Sequence, residues 1–117
     1  MVMPSPKQTE LSRPHLKALT TLRDNGIAVS SEVPVTVNGI TYRLDCFLPD
    51  YLVALEIDGP YHLKAADKRR DEALASVGLL TIRFTAGERL AWALVDFLAG
   101  AEQTLPQRRI LWKERQQ

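Results

Sequence analysis

Leu44-Asp45-Cys46-Phe47-Leu48-Pro49-Asp50-Tyr51-Leu52-Val53-Ala54-Leu55-Glu56-Ile57-Asp58-Gly59 is the stretch on which the fold turns. Pro49-Asp50 is a turn pair, because proline presets φ and aspartate bonds its own backbone two residues on. The flanking residues are rich in the apolar and β-branched side chains of strands. In the second strand Leu55 and Ile57 point one way while Glu56 and Asp58 point the other, since side chains alternate with a period of two. With the turn centred near Asp50, Asp45 stands opposite Glu56 on the same face. Asp45, Glu56 and Asp58, with His62 four residues beyond, are therefore expected at the ends of two adjoining strands. Oxygen ligands of this kind suit a hard cation such as Mg²⁺ or Mn²⁺, which keeps several waters and takes phosphate oxygens into its shell.

Upstream, residues 27–37 are β-rich, and Val37-Asn38-Gly39-Ile40 is a strong hairpin signal. Before them, Leu11, Leu16, Leu19 and Leu22 recur at near-helical spacing over residues 7–25, and Asn25-Gly26 supplies a stop. Pro14 interrupts this helix, either kinking it or marking the first turn of a second one. Downstream, Gly59-Pro60 ends the third strand. Residues 65–77 read as a helix with Ala66, Arg70, Ala73, Leu74 and Val77 on one stripe, closed by Gly78. Residues 79–84 form a continuous apolar strand, expected to be buried on both faces. A last helix over about residues 88–99 carries Leu90, Leu94, Phe97 and Leu98 inward, and Trp92 is expected in the core. The order α-β-β-β-α-β-α describes a mixed α/β fold. An antiparallel meander opens a four-stranded sheet, a helical crossover brings the fourth strand in parallel, and helices flank the sheet.

The 117 residues, 45% of them hydrophobic, are enough for one core and too few for two ordinary domains. One domain over residues 1–117 is expected, with its core at about 7–101 and a basic tail over 102–117. No run approaches the roughly 18 to 20 apolar residues of a bilayer span, and the opening residues have no signal-peptide pattern, so a cytoplasmic setting is expected. Cys46 is the only cysteine, which excludes an internal disulfide and a cysteine-built zinc site. It reads as a strand residue. The net charge of +1 hides a segregation, because acids alone lie from Asp45 to Asp58 while Lys64, Lys68, Arg69 and Arg70 follow. An acidic pocket beside a basic rim suits a polyanionic substrate, the bland reading being that such helix charges are merely solvated. Arg43, Arg108 and Arg109 join the rim as candidate nucleic-acid contacts.

Tyr42-Arg43-Leu44-Asp45-Cys46-Phe47-Leu48-Pro49, Leu55-Glu56-Ile57-Asp58-Gly59-Pro60-Tyr61-His62, Lys68-Arg69-Arg70-Asp71, Leu74, Gly78 and Thr81-Ile82-Arg83-Phe84 together resemble the very-short-patch-repair-like endonucleases. They are more similar still to family 559 of the domains of unknown function. Both belong to the restriction-endonuclease-like PD-(D/E)XK superfamily. The resemblance covers residues 9–98 and implies that Asp45, Glu56 and the main-chain carbonyl of Ile57 hold Mg²⁺ or Mn²⁺. Asp58 and His62 match an Asp-Gly-x-x-His motif of the family, and Glu10 resembles an acidic residue on the first helix of many superfamily members. Asp58 stands where the wider superfamily has lysine, as in the narrower families, which leaves the general base open between His62 and Lys64.

The reading that results is a metal-dependent endonuclease acting on DNA, with RNA the other polyanion the residues would suit, in a setting such as repair or recombination. The ion would activate water, His62 would move a proton, and Arg70 or Lys64 would stabilise charge on the phosphate. Arg70 reads equally as a buried partner of Asp45 or Asp58 that holds its helix on the sheet. The contrasting reading is a nuclease-like module that binds nucleic acid or protein without cutting, with Asp58 in place of lysine as its mark. Homodimerisation, or a protein partner that supplies specificity, fits either reading. Trp112, among basic residues, is a candidate for base stacking or a protein contact.

Overall fold

The computed structural model describes residues 12–58, 64–85 and 90–115. Helix α1 spans Arg13–Asp24 and begins at Ser12, whose hydroxyl accepts from the His15 N–H at 3.3 Å. Pro14 therefore sits in a first turn, where its missing N–H costs nothing. At the other end Gly26, with φ of 73°, donates to the Arg23 carbonyl and Ile27 donates to that of Leu22. This pair of bonds is the Schellman closure that the Asn25-Gly26 signal implied.

Strands β1 (Ser30–Val37) and β2 (Ile40–Leu48) form an antiparallel hairpin through Asn38 and Gly39, both at positive φ. Two positive φ values in a two-residue loop make a type I′ turn, whose twist matches that of the strands. β3 (Val53–Asp58) returns antiparallel to β2, helix α2 (Lys64–Ser76) crosses over, and β4 (Leu80–Thr85) lies parallel to β3. The result is the expected mixed α/β sheet, in the order β1-β2-β3-β4. β4 is an edge strand rather than one buried on both faces. Leu79 and Phe84 are buried, but the residues between them are only partly covered.

Two clusters of side chains make the core. Ala18, Leu19 and Leu22 of α1 pack with Cys46, Leu48, Val53 and Leu55 of the sheet. Leu74 of α2 packs with Val35, Val37, Leu44 and Ala54. The last helix, α3, spans Leu90–Arg115 and serves both clusters, the first through Leu90, Leu94 and Ala101 and the second through Leu105 and Trp112.

The extent of α3 corrects the expectation from sequence, in which the helix ends near residue 99 and a basic tail covers residues 102–117. Pro106 removes one helical donor but does not end the helix, because Leu105 and Trp112 are anchored in the core. Burial of an apolar face outweighs the local cost of a proline. Arg108, expected on a nucleic-acid surface, is instead 8% exposed. Its guanidinium donates to the carbonyls of Tyr51, Leu52, Gly78 and Ala101 and to the Thr104 hydroxyl. It ties α3 to the starts of β3 and β4. Trp92, expected in the core, is 77% exposed, whereas Leu90 and Leu94 carry the inward face. No helix among the described residues is long and apolar enough to cross a membrane.

Candidate functional site

Backbone pairing between β2 and β3 runs from Leu48–Val53 to Cys46–Leu55, and one residue further on side chains take over. The Asp45 N–H donates to Glu56 Oε2 at 3.1 Å, and the Ile57 N–H donates to Asp45 Oδ2 at 2.9 Å. Each carboxylate thus satisfies a main-chain donor of the opposite strand. The expected opposition of Asp45 and Glu56 is what the register produces. In an extended strand a residue's N–H and C=O leave on the same side. The Ile57 carbonyl therefore opens into the same fork as its N–H, beside the two carboxylates.

The hairpin is irregular at this level. Leu44 belongs to the cluster under α2 and Cys46 to the cluster under α1, although residues two apart on a regular strand share a face. The break falls at Asp45, opposite Glu32, which adopts φ of 55°. A non-glycine residue there carries strain of order 1 kcal/mol. Glu32 lies 4.0 Å from His15 Nδ1 and 4.0 Å from Arg43 Nη1. The buried His15 places its Nε2 3.1 Å from the Ser31 hydroxyl. Nothing in the spacing of His15, Ser31 and Glu32 along the chain announced this arrangement.

Glu56 is 4% exposed, and its carboxyl is pushed up to about 7. Loss of hydration is the main cause and the Asp45 charge adds to it, against the opposing pull of the Arg70 guanidinium. Arg70 of α2 makes a close ion pair with Glu56 Oε1, and the same Nη2 donates to the Arg43 carbonyl at 2.7 Å. Arg70 does pair with an acid, but that acid is Glu56, where the sequence pointed to Asp45 or Asp58.

One turn of α2 carries a second clamp that the sequence reading missed. Asp71 binds Arg83 of β4 at 2.5 Å, and Asp67 lies 3.5 Å from the same guanidinium. Residues 67, 70 and 71 share a helix face by their i, i+3, i+4 spacing. Glu56 and Arg83 are register partners on neighbouring strands. A helix face reading acid-base-acid over a base beside an acid is a complementary pattern, visible only once that register is known.

Asp58 closes β3 and Lys64 opens α2; Glu10 and His62 lie outside the described residues. Arg43, Lys68, Arg69 and Arg109 are exposed, with Lys68 4.0 Å from Glu72 on its own helix. Trp112 is half-buried, its ring 5.8 Å from that of Phe47 and covered by the Arg115 guanidinium at 4.3 Å. With both partners in place it is a packing residue rather than an open stacking platform. Cys46 is fully buried, and burial first, then Asp45, Glu56 and Glu32, push its thiol up to about 12, making it inert.

The described residues contain no group of three or more His, Cys, Asp or Glu side chains placed to hold a metal ion. The two carboxylates and one carbonyl of the fork nevertheless fit a hard cation that keeps much of its water. A carboxylate raised chiefly by burial, with a second carboxylate beside it, is an arrangement that a cation relieves.

No family model matches the chain, and no curated protein matches it. Among solved structures, the homing endonuclease I-Bth0305I catalytic domain is similar over 89% of this chain and 97% of its own, with 21% identity and a TM-score of 0.45.

Proposed function

We propose that this protein is a metal-dependent endonuclease that hydrolyses phosphodiester bonds in DNA. The observation that carries the reading is the fork between β2 and β3, where Asp45 and the buried Glu56 face each other through reciprocal main-chain bonds. Such a pair at the carboxyl end of a parallel strand has little use in stabilising a fold, since each charge raises the cost of the other. Asp45, Glu56 and the Ile57 carbonyl would hold Mg²⁺ or Mn²⁺. The chemistry supplied by the ion is neutralisation of phosphate charge and activation of water at neutral pH.

The chain's own residues do the rest. Ile57 N–H and Asp45 N–H fix the two carboxylates in place, so little reorganisation is needed when an ion arrives. Glu56 ligates only as the anion, so activity is expected to rise with pH toward neutrality. The exposed Lys68, Arg69 and Arg43 form a basic rim that draws the nucleic-acid backbone toward the fork. His62 is assigned proton transfer, with Asp58 and Glu10 as further acids of the site. Recognition of a particular DNA sequence or structure is assigned to a homodimer or protein partner.

The test is nicking of supercoiled plasmid with Mg²⁺, Mn²⁺ or EDTA, using wild type beside Asp45→Asn. Metal-dependent cutting that falls at least about 100-fold in the variant, with DNA binding retained, is the expected result. Binding without cutting under any metal would make the chain a nuclease-like binding module instead.

A further inference from the structure

We infer that Arg70 is a latch that couples cation binding at the fork to capture of a phosphate. The inference rests on the nuclease reading above. One guanidinium nitrogen of Arg70 holds both Glu56 Oε1 and the Arg43 carbonyl, bridging α2 to β2 and β3 across the mouth of the fork. Arg70 thus occupies the charge and one oxygen that a cation would need from Glu56.

Three features mark this pose as one of two states. The Arg70 side chain is 27% exposed, so it reaches solvent at the mouth rather than lying sealed in the core. Its Nε–H is buried with no acceptor among the described residues, which leaves the guanidinium incompletely satisfied. The helix that carries it does not depend on it for attachment, because Asp67 and Asp71 clamp α2 to Arg83 on the neighbouring strand, and Leu74 anchors the helix in the core. Arg70 can swing while α2 stays in place.

A cation at the fork competes with the guanidinium for Glu56 and repels it. Once released, Arg70 stands at the mouth with its planar donor face free, the geometry suited to two oxygens of a phosphate. Nucleic acid then captures the released guanidinium and prevents it from returning to Glu56. Cation and phosphate each favour the same Arg70 position, so each must tighten the binding of the other.

The experiment compares wild type with Arg70→Ala and Arg70→Lys, each checked for native circular dichroism. Ca²⁺ affinity is measured by calorimetry without nucleic acid. Affinity for a short DNA duplex is measured by anisotropy across a salt series, with and without Ca²⁺. Arg70→Ala is expected to bind Ca²⁺ about fivefold or more tighter, because the competitor is gone. With Ca²⁺ present it should bind DNA more weakly, its slope of log K against log salt shallower by about 0.9, the signature of one lost phosphate contact. Without Ca²⁺ the slopes of wild type and variant should coincide. Arg70→Lys, with a compact charge unable to bridge both acceptors, should fall between.

Weaker Ca²⁺ binding by the variants overturns the latch and makes Arg70 a plain structural partner, leaving the nuclease reading intact. An equal slope deficit with and without Ca²⁺ also overturns it, because Arg70 would then contact phosphate regardless of the ion. Wild type needs no variant for its own test: Ca²⁺ must tighten DNA binding, and no coupling refutes the latch. Failure of wild type to bind Ca²⁺, Mg²⁺ or Mn²⁺ at all removes both the latch and the metal-dependent reading beneath it.

Discussion

Replacing Glu56 with glutamine should remove a pH-dependent liability from the cation-free protein. In the folded chain Glu56 keeps its proton up to about pH 7, against an ordinary value of 4.5. Between those values the folded state binds more protons than the unfolded state, so stability falls as pH rises. Below 4.5 both states are protonated and the penalty is absent; above 7 it is complete. A rise from 4.5 to about 7, at about 1.4 kcal/mol per pH unit, gives a loss of about 3 kcal/mol. Glutamine has the same shape and no charge, so Glu56→Gln lacks this slope, whatever constant offset its amide introduces at the Asp45 N–H. Urea denaturation in EDTA from pH 4.5 to 8.5 reads the difference directly. Wild-type stability minus that of the variant should fall by about 3 kcal/mol across the range. Saturating Mg²⁺ should then stabilise wild type at pH 8 and leave the variant nearly unmoved. A flat difference, or one that grows with pH, would show that the Arg70 pair outweighs burial and would refute the account of the fork as a strained site.

Four other outcomes follow from the packing. Gly78→Ala should lower stability by about 3 kcal/mol, because a Cβ at φ of 96° would lie 2.3 Å from the Arg108 carbonyl oxygen. Gly26→Ala, at φ of 73° with nothing within 4 Å, should cost only about 1 kcal/mol, and thermal melts of the two separate close approach from backbone conformation. Arg108→Met should cost about 3 kcal/mol in urea denaturation by leaving the carbonyls of Tyr51, Leu52, Gly78 and Ala101 without their donor. DNA affinity of the folded variant should be unchanged, and a weakened affinity would return Arg108 to the nucleic-acid surface. Cys46 should resist thiol reagents in the native state and react only at the rate of unfolding, which a timed labelling experiment with and without urea would show.

The order of elements along the chain was legible in the sequence because each signal was local. Asn38-Gly39 requires two positive φ values, Pro49-Asp50 makes a turn, and the alternation of Leu55, Glu56 and Ile57 fixes which side chains share a face. Those features set the register that brings Asp45 to Glu56, and a crossover helix makes β4 parallel to a neighbour, which the structure shows to be β3. By itself, then, the sequence determined the sheet, its hairpin and the pairing of the two acids. The identity of the bonds at the fork was decided by the tertiary structure, because a side chain replacing a ladder bond leaves no trace in spacing. The same holds for the Arg70 partner, the Arg83 clamp and the neighbours of Glu32, which join residues from different elements. Arg108 is the sharpest case. Along the chain it is one cation among several after a proline, and only the close approach of α3 to Gly78 turns it inward onto four carbonyls. A charge's role depends on what the fold puts within about 3 Å of it, and that distance is set by packing between distant segments rather than by its neighbours in sequence.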